Sequence, residues 1–263
     1  MTGAPHSSVK RYRELARNPL TNGHERELLL DGCHLLSEAR TSGLVVESAA
    51  FDEIALNEPA VRALADRLTA EGTEVFVVPR KVLVSMSPVK TPSGAVGIAR
   101  RTLGSLESIL GGSNPLVVIA HDVQDPGNVG AMMRTAEAAG ATAFVTTPAT
   151  ADPLGWKALR GSMGSALRLP MARAEAGEVF KALRAAGIGT LGLVPRGGQS
   201  LFSSDLRKPI ALFLGGEGAG LPEGSARQMN QMISIPMCPP VESLNVGVAA
   251  ALVLYEAHRQ RHQ

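Results

Sequence analysis

The sequence is poor in cysteine: Cys33 and Cys238 are the two in 263 residues. Two thiols cannot build a disulfide framework or a cysteine-based zinc site, so the chain reads as a cytoplasmic protein with free thiols. Aromatic side chains make up 3% of the sequence, too few for a platform that stacks successive bases of a single strand. The longest apolar run, residues 246–254, falls far short of the roughly 20 residues that cross a bilayer. The N-terminal MTGAPHSSVKRYRELAR has no apolar core segment and is not read as a signal peptide. Strong net charge is missing too, and +2 at pH 7 does not by itself call for a nucleic-acid partner. The six histidines (His6, His24, His34, His121, His258 and His262) are scattered; none is read as a metal ligand, and His121 is read as structural.

What is present is a large apolar fraction. With 44% hydrophobic and 19% charged residues the chain is not globally disordered, and its length suits two domains or one large one. Residues 1–8 are expected to be disordered, and the basic amphipathic stretch 9–17 to start the fold. Patterning then predicts helices over 33–40, 59–70 and 81–87, and strands over 44–46, 74–78 and 95–100. Residues 103–114, LGSLESILGGSN, are small and polar and read as a linker between a domain 1–102 and a domain 115–263. The second domain restarts the alternation, with strands over 116–120, 143–145, 189–194, 210–214 and 232–235. Its helices are expected over 129–139, 175–186, 222–229 and 244–259. Short apolar strands between helices imply an α/β fold with a mostly parallel, buried sheet.

Charge is unevenly placed. Residues 77–106 carry Arg80, Lys81, Lys90, Arg100 and Arg101 with no acid, and residues 154–174 carry Lys157, Arg160, Arg168 and Arg173 with none. Such stretches form either basic patches facing phosphates or ordinary solvated surface.

Three segments at predicted strand ends carry chemistry. The first runs from Asp122 through Pro126-Gly127-Asn128 into a helix, with Asn128 at a candidate N-cap and Gly140 just past the end. Val129, Met132, Met133 and Ala136 share one face of that helix and Arg134 the other; alone, this is a capped amphipathic helix with a solvated arginine. The second, Gly215-Gly216-Glu217-Gly218-Ala219-Gly220, has neither the GxGxxG spacing nor the GK[ST] of phosphate loops. A carboxylate there repels phosphate, so its ligand is neutral or cationic, or the segment is a structural turn. The third is Ile233-Ser234-Ile235-Pro236-Met237 followed by Val241 to Ala251, with Ser243 a candidate N-cap. Its helix is apolar nearly all round, with Leu244, Val248, Ala251, Leu252 and Tyr255 on one side. It reads as a homodimer contact, or as a helix fully buried in one domain.

In this order, NVGAMMRTAEAAGA, FLGGEGAGLP and ISIPM…ESLNVGVAAALVLYEA resemble the three signature motifs of the SpoU (TrmH-like) family, RNA ribose 2′-O-methyltransferases of the SPOUT superfamily. The resemblance covers about 114–263, and KALRGSMGSALRLP (157–170) resembles a further family segment. The first 100 residues resemble, more loosely, the family's substrate-binding domain, a small α/β fold akin to certain ribosomal proteins; Asp31-Gly32 stands where Glu-Gly is commoner. The resemblance implies a deep trefoil knot in the C-terminal domain, which general fold rules would not suggest. It also implies a homodimer sharing its active site across the interface, S-adenosylmethionine as cofactor, and no metal.

By the same resemblance, Asn128, Arg134, Glu217, Ser243 and Asn245 surround the reacting centre. Leu193, Val194, Gly215, Gly216, Ile235 and Leu244 would hold the cofactor. A guanidinium keeps its proton too tightly to be a literal base, so Arg134 is expected to bind the target phosphate and polarise the 2′-hydroxyl. RNA would be bound through Lys90, Arg100, Arg101, Lys157 and Arg160. A separate N-terminal domain favours ribosomal RNA, 23S above all. Other readings are a tRNA ribose methyltransferase, a non-catalytic RNA-binding assembly factor, which predicts decay of the motif residues, and a nicotinamide dehydrogenase, which lacks its fingerprint.

Overall fold

The computed structural model describes residues 2–3, 5–17 and 25–263. In chain order these form β1 (Thr2–Gly3), α1 (His6–Arg17), β2 (Glu25–Asp31), α2 (Cys33–Thr41), β3 (Val46–Asp52), α3 (Pro59–Ala70), β4 (Glu74–Val78), α4 (Arg80–Met86) and β5 (Ala95–Thr102). Next come α5 (Leu106–Ile109), β6 (Leu116–His121), α6 (Pro126–Ala138), β7 (Ala143–Thr146), α7 (Trp156–Ser162), α8 (Ser165–Arg168) and β8 (Met171–Arg173). The chain ends with α9 (Ala176–Ala185), β9 (Gly189–Leu193), β10 (Gln199–Ser200), β11 (Ile210–Gly215), α10 (Glu223–Ala226), β12 (Gln231–Ser234) and α11 (Val246–Arg261). Among the described residues no helix is long and apolar enough to cross a membrane.

The chain divides into two compact units. The first holds the residues up to Thr102 together with Leu154–Arg168, so α7 and α8 belong to it although they lie between β7 and β8 in sequence. Its five-stranded sheet has the order β1-β4-β3-β5-β2, parallel across β1, β4 and β3 and antiparallel where β5 meets β3 and β2. Tyr12, Leu29, Phe76, Leu83, Met86 and Ile98 form its core, and the buried Tyr12 hydroxyl is satisfied by Ser48 Oγ at 2.9 Å. Two expectations are corrected here. Residues 1–8 are not a disordered lead-in: Thr2–Gly3 pairs with β4 and α1 begins at His6, while residues 1 and 4 lie outside the described residues. The strand expected over 44–46 starts at Val46 instead. Leu44 N–H is used to close α2 onto the Ala39 carbonyl at 3.0 Å, past a left-handed Gly43, so it is unavailable to a ladder.

The second unit, Leu103–Pro153 with Leu169–Gln263, is built on a seven-stranded sheet of order β10-β12-β9-β11-β6-β7-β8. Every registered pair in it is parallel. The inner strand β6 is buried at all six positions, as a parallel strand covered on both faces must be. Phe180 and Phe213 stack at 4.8 Å between ring centroids inside the main core. Residues 103–114, expected as a linker, carry α5, whose Leu106 and Ile109 are buried in that same core. The helix expected over 222–229 spans only Glu223–Ala226, because Asn230 turns the chain back and its side-chain carbonyl accepts the Thr190 N–H at 2.8 Å. The two shortest strands of this sheet, β8 and β10, have no pattern long enough to be read.

Candidate functional site

The C-terminal ends of β6, β9, β11 and β12 open on one side of the second unit, where ligands bind in open parallel sheets. A cavity of about 440 Å³ lies there, of a size that suits a small cofactor. Leu193, Val194, Gly215, Gly216, Ile235 and Leu244, the six positions expected to hold the cofactor, all line it, as do Glu217, Ser243 and Asn245. Pro195, Met237, Val246 and Ala249 also line it. The first two adjoin positions already singled out and were within reach of the sequence; the last two enter because the first turn of α11 faces the cavity.

Asp125, not Asn128, caps α6: its Oδ1 accepts from Gly127 N at 2.6 Å and Asn128 N at 3.0 Å. The carboxylate three residues earlier reaches these amides, which releases the Asn128 side chain from capping. Asn245, not Ser243, caps α11, accepting from Gly247 N at 2.9 Å and Val248 N at 3.3 Å. That cap decides the orientation of the next group. With Asn245 Oδ1 occupied, Asn245 Nδ2 donates to Asn128 Oδ1 at 3.0 Å. Asn128 Nδ2 in turn donates to Glu217 Oε1 at 2.6 Å, and Gln124 N–H donates to Glu217 Oε2 at 3.2 Å. One polar chain therefore joins all three motif segments, and each amide in it has a single consistent orientation.

The glycines are demanded by close backbone approach. A Cβ on Gly215 would stand 2.2 Å from the Gly220 carbonyl carbon, and one on Gly216 would stand 2.2 Å from the Asp122 carbonyl oxygen. The loop folds back on itself, Gly220 N–H donating to the Gly216 carbonyl at 3.0 Å. Leu193, Val194, Ile235 and Leu244 present apolar surface suited to an adenine ring, while the Glu217 carboxylate favours a cation over a phosphate. The residues fit a sulfonium nucleoside on both counts.

Arg134 stands apart. It is exposed on α6, does not line the cavity, and has no hydrogen bond or ion pair among the described residues. His121 is buried, with Nε2 at 2.7 Å from Ser225 Oγ. Among the described residues no group of three or more His, Cys, Asp or Glu side chains is placed to hold a metal ion.

All five positions expected to bind RNA fall in the first unit. Lys90 is exposed in the loop after α4; Lys157 lies 5.5 Å above the Trp156 ring; Arg160 is half exposed, 3.8 Å from Asp31. The arginine pair on β5 is split by strand alternation. Arg100 faces out but lies among carboxylates of the neighbouring strands, pairing with Glu47 and standing 3.5 Å from both Glu25 and Glu27. Arg101 points inward and is 9% exposed, so it is not presented to a solvent-borne ligand.

A model of the SpoU rRNA Methylase family matches residues 115–255. The chain is similar to an uncharacterized tRNA/rRNA methyltransferase of Synechocystis, 32% identical over 99% of this chain and 94% of that protein. It is also similar to the 23S rRNA (guanosine(2553)-2′-O)-methyltransferase of Bacillus subtilis, 30% identical over 86% of each. Among solved structures, the SpoU methyltransferase AviRb of Streptomyces viridochromogenes, in complex with the cofactor AdoMet, superimposes with a TM-score of 0.84. That match is 29% identical and covers 98% of this chain and 99% of the other.

Proposed function

The chain belongs to the SpoU rRNA methylase family, and from that premise we propose that it methylates a ribose 2′-hydroxyl of 23S rRNA. It is an RNA 2′-O-methyltransferase that uses S-adenosylmethionine. The observation that carries the reading is the cavity wall: six expected cofactor positions line it, and Glu217 and Asn245, which also line it, are joined through Asn128.

When bound, S-adenosylmethionine supplies a methyl group already activated by its sulfonium. This chain's residues have to bind, orient and compensate charge. Glu217, fixed by two donors, provides the negative charge next to a cationic ligand and keeps the Asn128 amide in one orientation. Ser243 and Asn245 add polar groups to the cavity lining. Arg134 would bind the target phosphate and polarise the hydroxyl, leaving a phosphate oxygen or water to take the proton. Because Arg134 does not line the cavity of its own chain, we read the enzyme as a homodimer in which the arginine acts across the interface. Val248, Leu252 and Tyr255, exposed along α11, would supply the apolar contact. The first unit would bind RNA through Lys90, Lys157 and Arg160. The trefoil knot, a first unit akin to a ribosomal protein and a cytoplasmic location follow from the family and belong to the same proposal.

The test is methyl transfer from labelled S-adenosylmethionine to unmodified rRNA and tRNA, fractionated by size. Label in the large-subunit RNA at one alkali-resistant position is the expected result. Label confined to tRNA would replace the substrate, and cofactor binding without transfer to RNA or ribosomal particles would overturn the assignment.

A further inference from the structure

We propose that His121 and Ser225 are positioning residues that clamp the glycine-rich loop shut and thereby set where the Glu217 carboxylate stands. The inference rests on the methyltransferase reading for its purpose, and on the following geometry for its content. The loop leaves β11 at Gly215, which lies opposite His121 in the parallel ladder between β11 and β6. Ten residues later the chain reaches Ser225 on the short α10, and Ser225 Oγ stands 2.7 Å from His121 Nε2, a hydrogen bond in either tautomer. One residue therefore holds both ends of the loop, by its backbone at the start and by its ring at the finish. Both members are buried, His121 at 5% and Ser225 at 7% exposure, so water is a poor substitute partner for either.

The next residue anchors the clamp. Asp122 has a φ of 61°, a left-handed conformation that a non-glycine residue keeps only when its surroundings impose it. Thr147 imposes it: Asp122 N–H donates to Thr147 Oγ1 at 3.0 Å, and that hydroxyl donates to Asp122 Oδ1 at 2.8 Å. So held, the Asp122 carbonyl forms the floor on which Gly216 rests, and the turn beyond it delivers Gln124 N–H and the Asn128 amide to Glu217. His121 Nδ1 lies 3.2 Å from Asp122 Oδ1, so the imidazole is flanked by the serine on one side and the carboxylate on the other. The serine and the histidine are too buried to meet a substrate, and their place beneath the loop makes them a clamp. Closing a flexible loop costs entropy that a single buried hydrogen bond offsets only in part, so removing that bond frees the loop.

The test compares wild type, Ser225→Ala, Ser225→Thr and His121→Gln. The first readout is hydrogen–deuterium exchange over 215–222 in the cofactor-free protein; the second is S-adenosylmethionine affinity by calorimetry. Ser225→Ala is expected to raise exchange in that loop, and to weaken cofactor binding, by roughly 3- to 10-fold, the weight of one net hydrogen bond. Exchange in β6 and α9 should stay unchanged, and Ser225→Thr should restore both readouts. Loop exchange equal to wild type in both Ser225→Ala and His121→Gln would overturn the proposal, as would a uniform rise across the whole unit. If one variant fails to fold, the other decides. Wild-type protein that binds cofactor but methylates no RNA would overturn the proposed function and leave the exchange result standing.

Discussion

Replacing Gly216 by alanine tests the site with a single methyl group. Its Cβ would stand 2.2 Å from the Asp122 carbonyl oxygen and 3.0 Å from the carbonyl carbon, both backbone atoms. Reaching an ordinary contact of 3.4 Å requires a shift of 3.4 − 2.2 = 1.2 Å. Asp122 cannot supply it cheaply, because it is already in a left-handed conformation and tied twice to Thr147. Overpacking of this kind costs about 1–3 kcal/mol, and loosening the Thr147 bonds adds about 1 kcal/mol. At roughly 2–4 °C per kcal/mol for a protein of this size, the melting temperature should fall by roughly 4–16 °C. Moving Asp122 also moves the turn that feeds Glu217, so S-adenosylmethionine affinity should drop at least roughly tenfold, a loss of about 1.4 kcal/mol. Gly224→Ala is the control: nothing lies within 4 Å of its added Cβ, and melting and binding should match wild type or improve slightly. Calorimetry and thermal melts with and without cofactor read both quantities. A Gly216→Ala protein that binds S-adenosylmethionine as tightly as Gly224→Ala would refute the close approach on which the site is built.

Four further outcomes are expected. Arg134→Ala should leave melting unchanged, since the side chain is exposed, but lower turnover by roughly 10²-fold or more in a methyl-transfer assay; unchanged turnover would remove Arg134 from the site. Lys90→Ala or Arg160→Ala should weaken RNA binding and reduce its salt slope by about one, whereas Arg101→Ala should act on stability instead, as read by filter binding and melts. Leu252→Asp on the exposed face of α11 should yield monomers in sedimentation without unfolding the chain. Hydrogen bonds from Arg259, and next from Gln260, hold the Glu256 carboxyl at about 2, below its usual 4.5. Its stabilising effect is therefore complete above pH 4.5 and is lost as pH falls toward 2, so Glu256→Gln should flatten acid unfolding over that window.

Much of the fold was legible because it follows local rules. Helix 59–70 and strand 74–78 sit where the pattern places them, since one has a helical period, the other a short apolar run, and both have clear stop signals. The cavity lining was legible because it lies at strand ends beside recognisable motifs. Where reading failed, another partner, near or remote in sequence, had taken over a local group. Leu44 is spent on closing a helix, and Ser243 yields the cap of α11 to Asn245. The stretch 77–106 contains no acid, yet Arg100 sits among Glu25, Glu27 and Glu47 because β2 and β3 bring them alongside.

The sequence by itself determined the α/β alternation, the three motif segments and the apolar face of α11, all properties of neighbouring residues and their spacing. Tertiary structure alone decided that residues 154–168 join the first unit, and that Asn245, Asn128 and Glu217 form one chain. It also decided that His121 reaches Ser225, 104 positions away. Hydrogen bonds are satisfied in space, and a polar side chain's role is set by which donors and acceptors the fold leaves within about 3 Å of it.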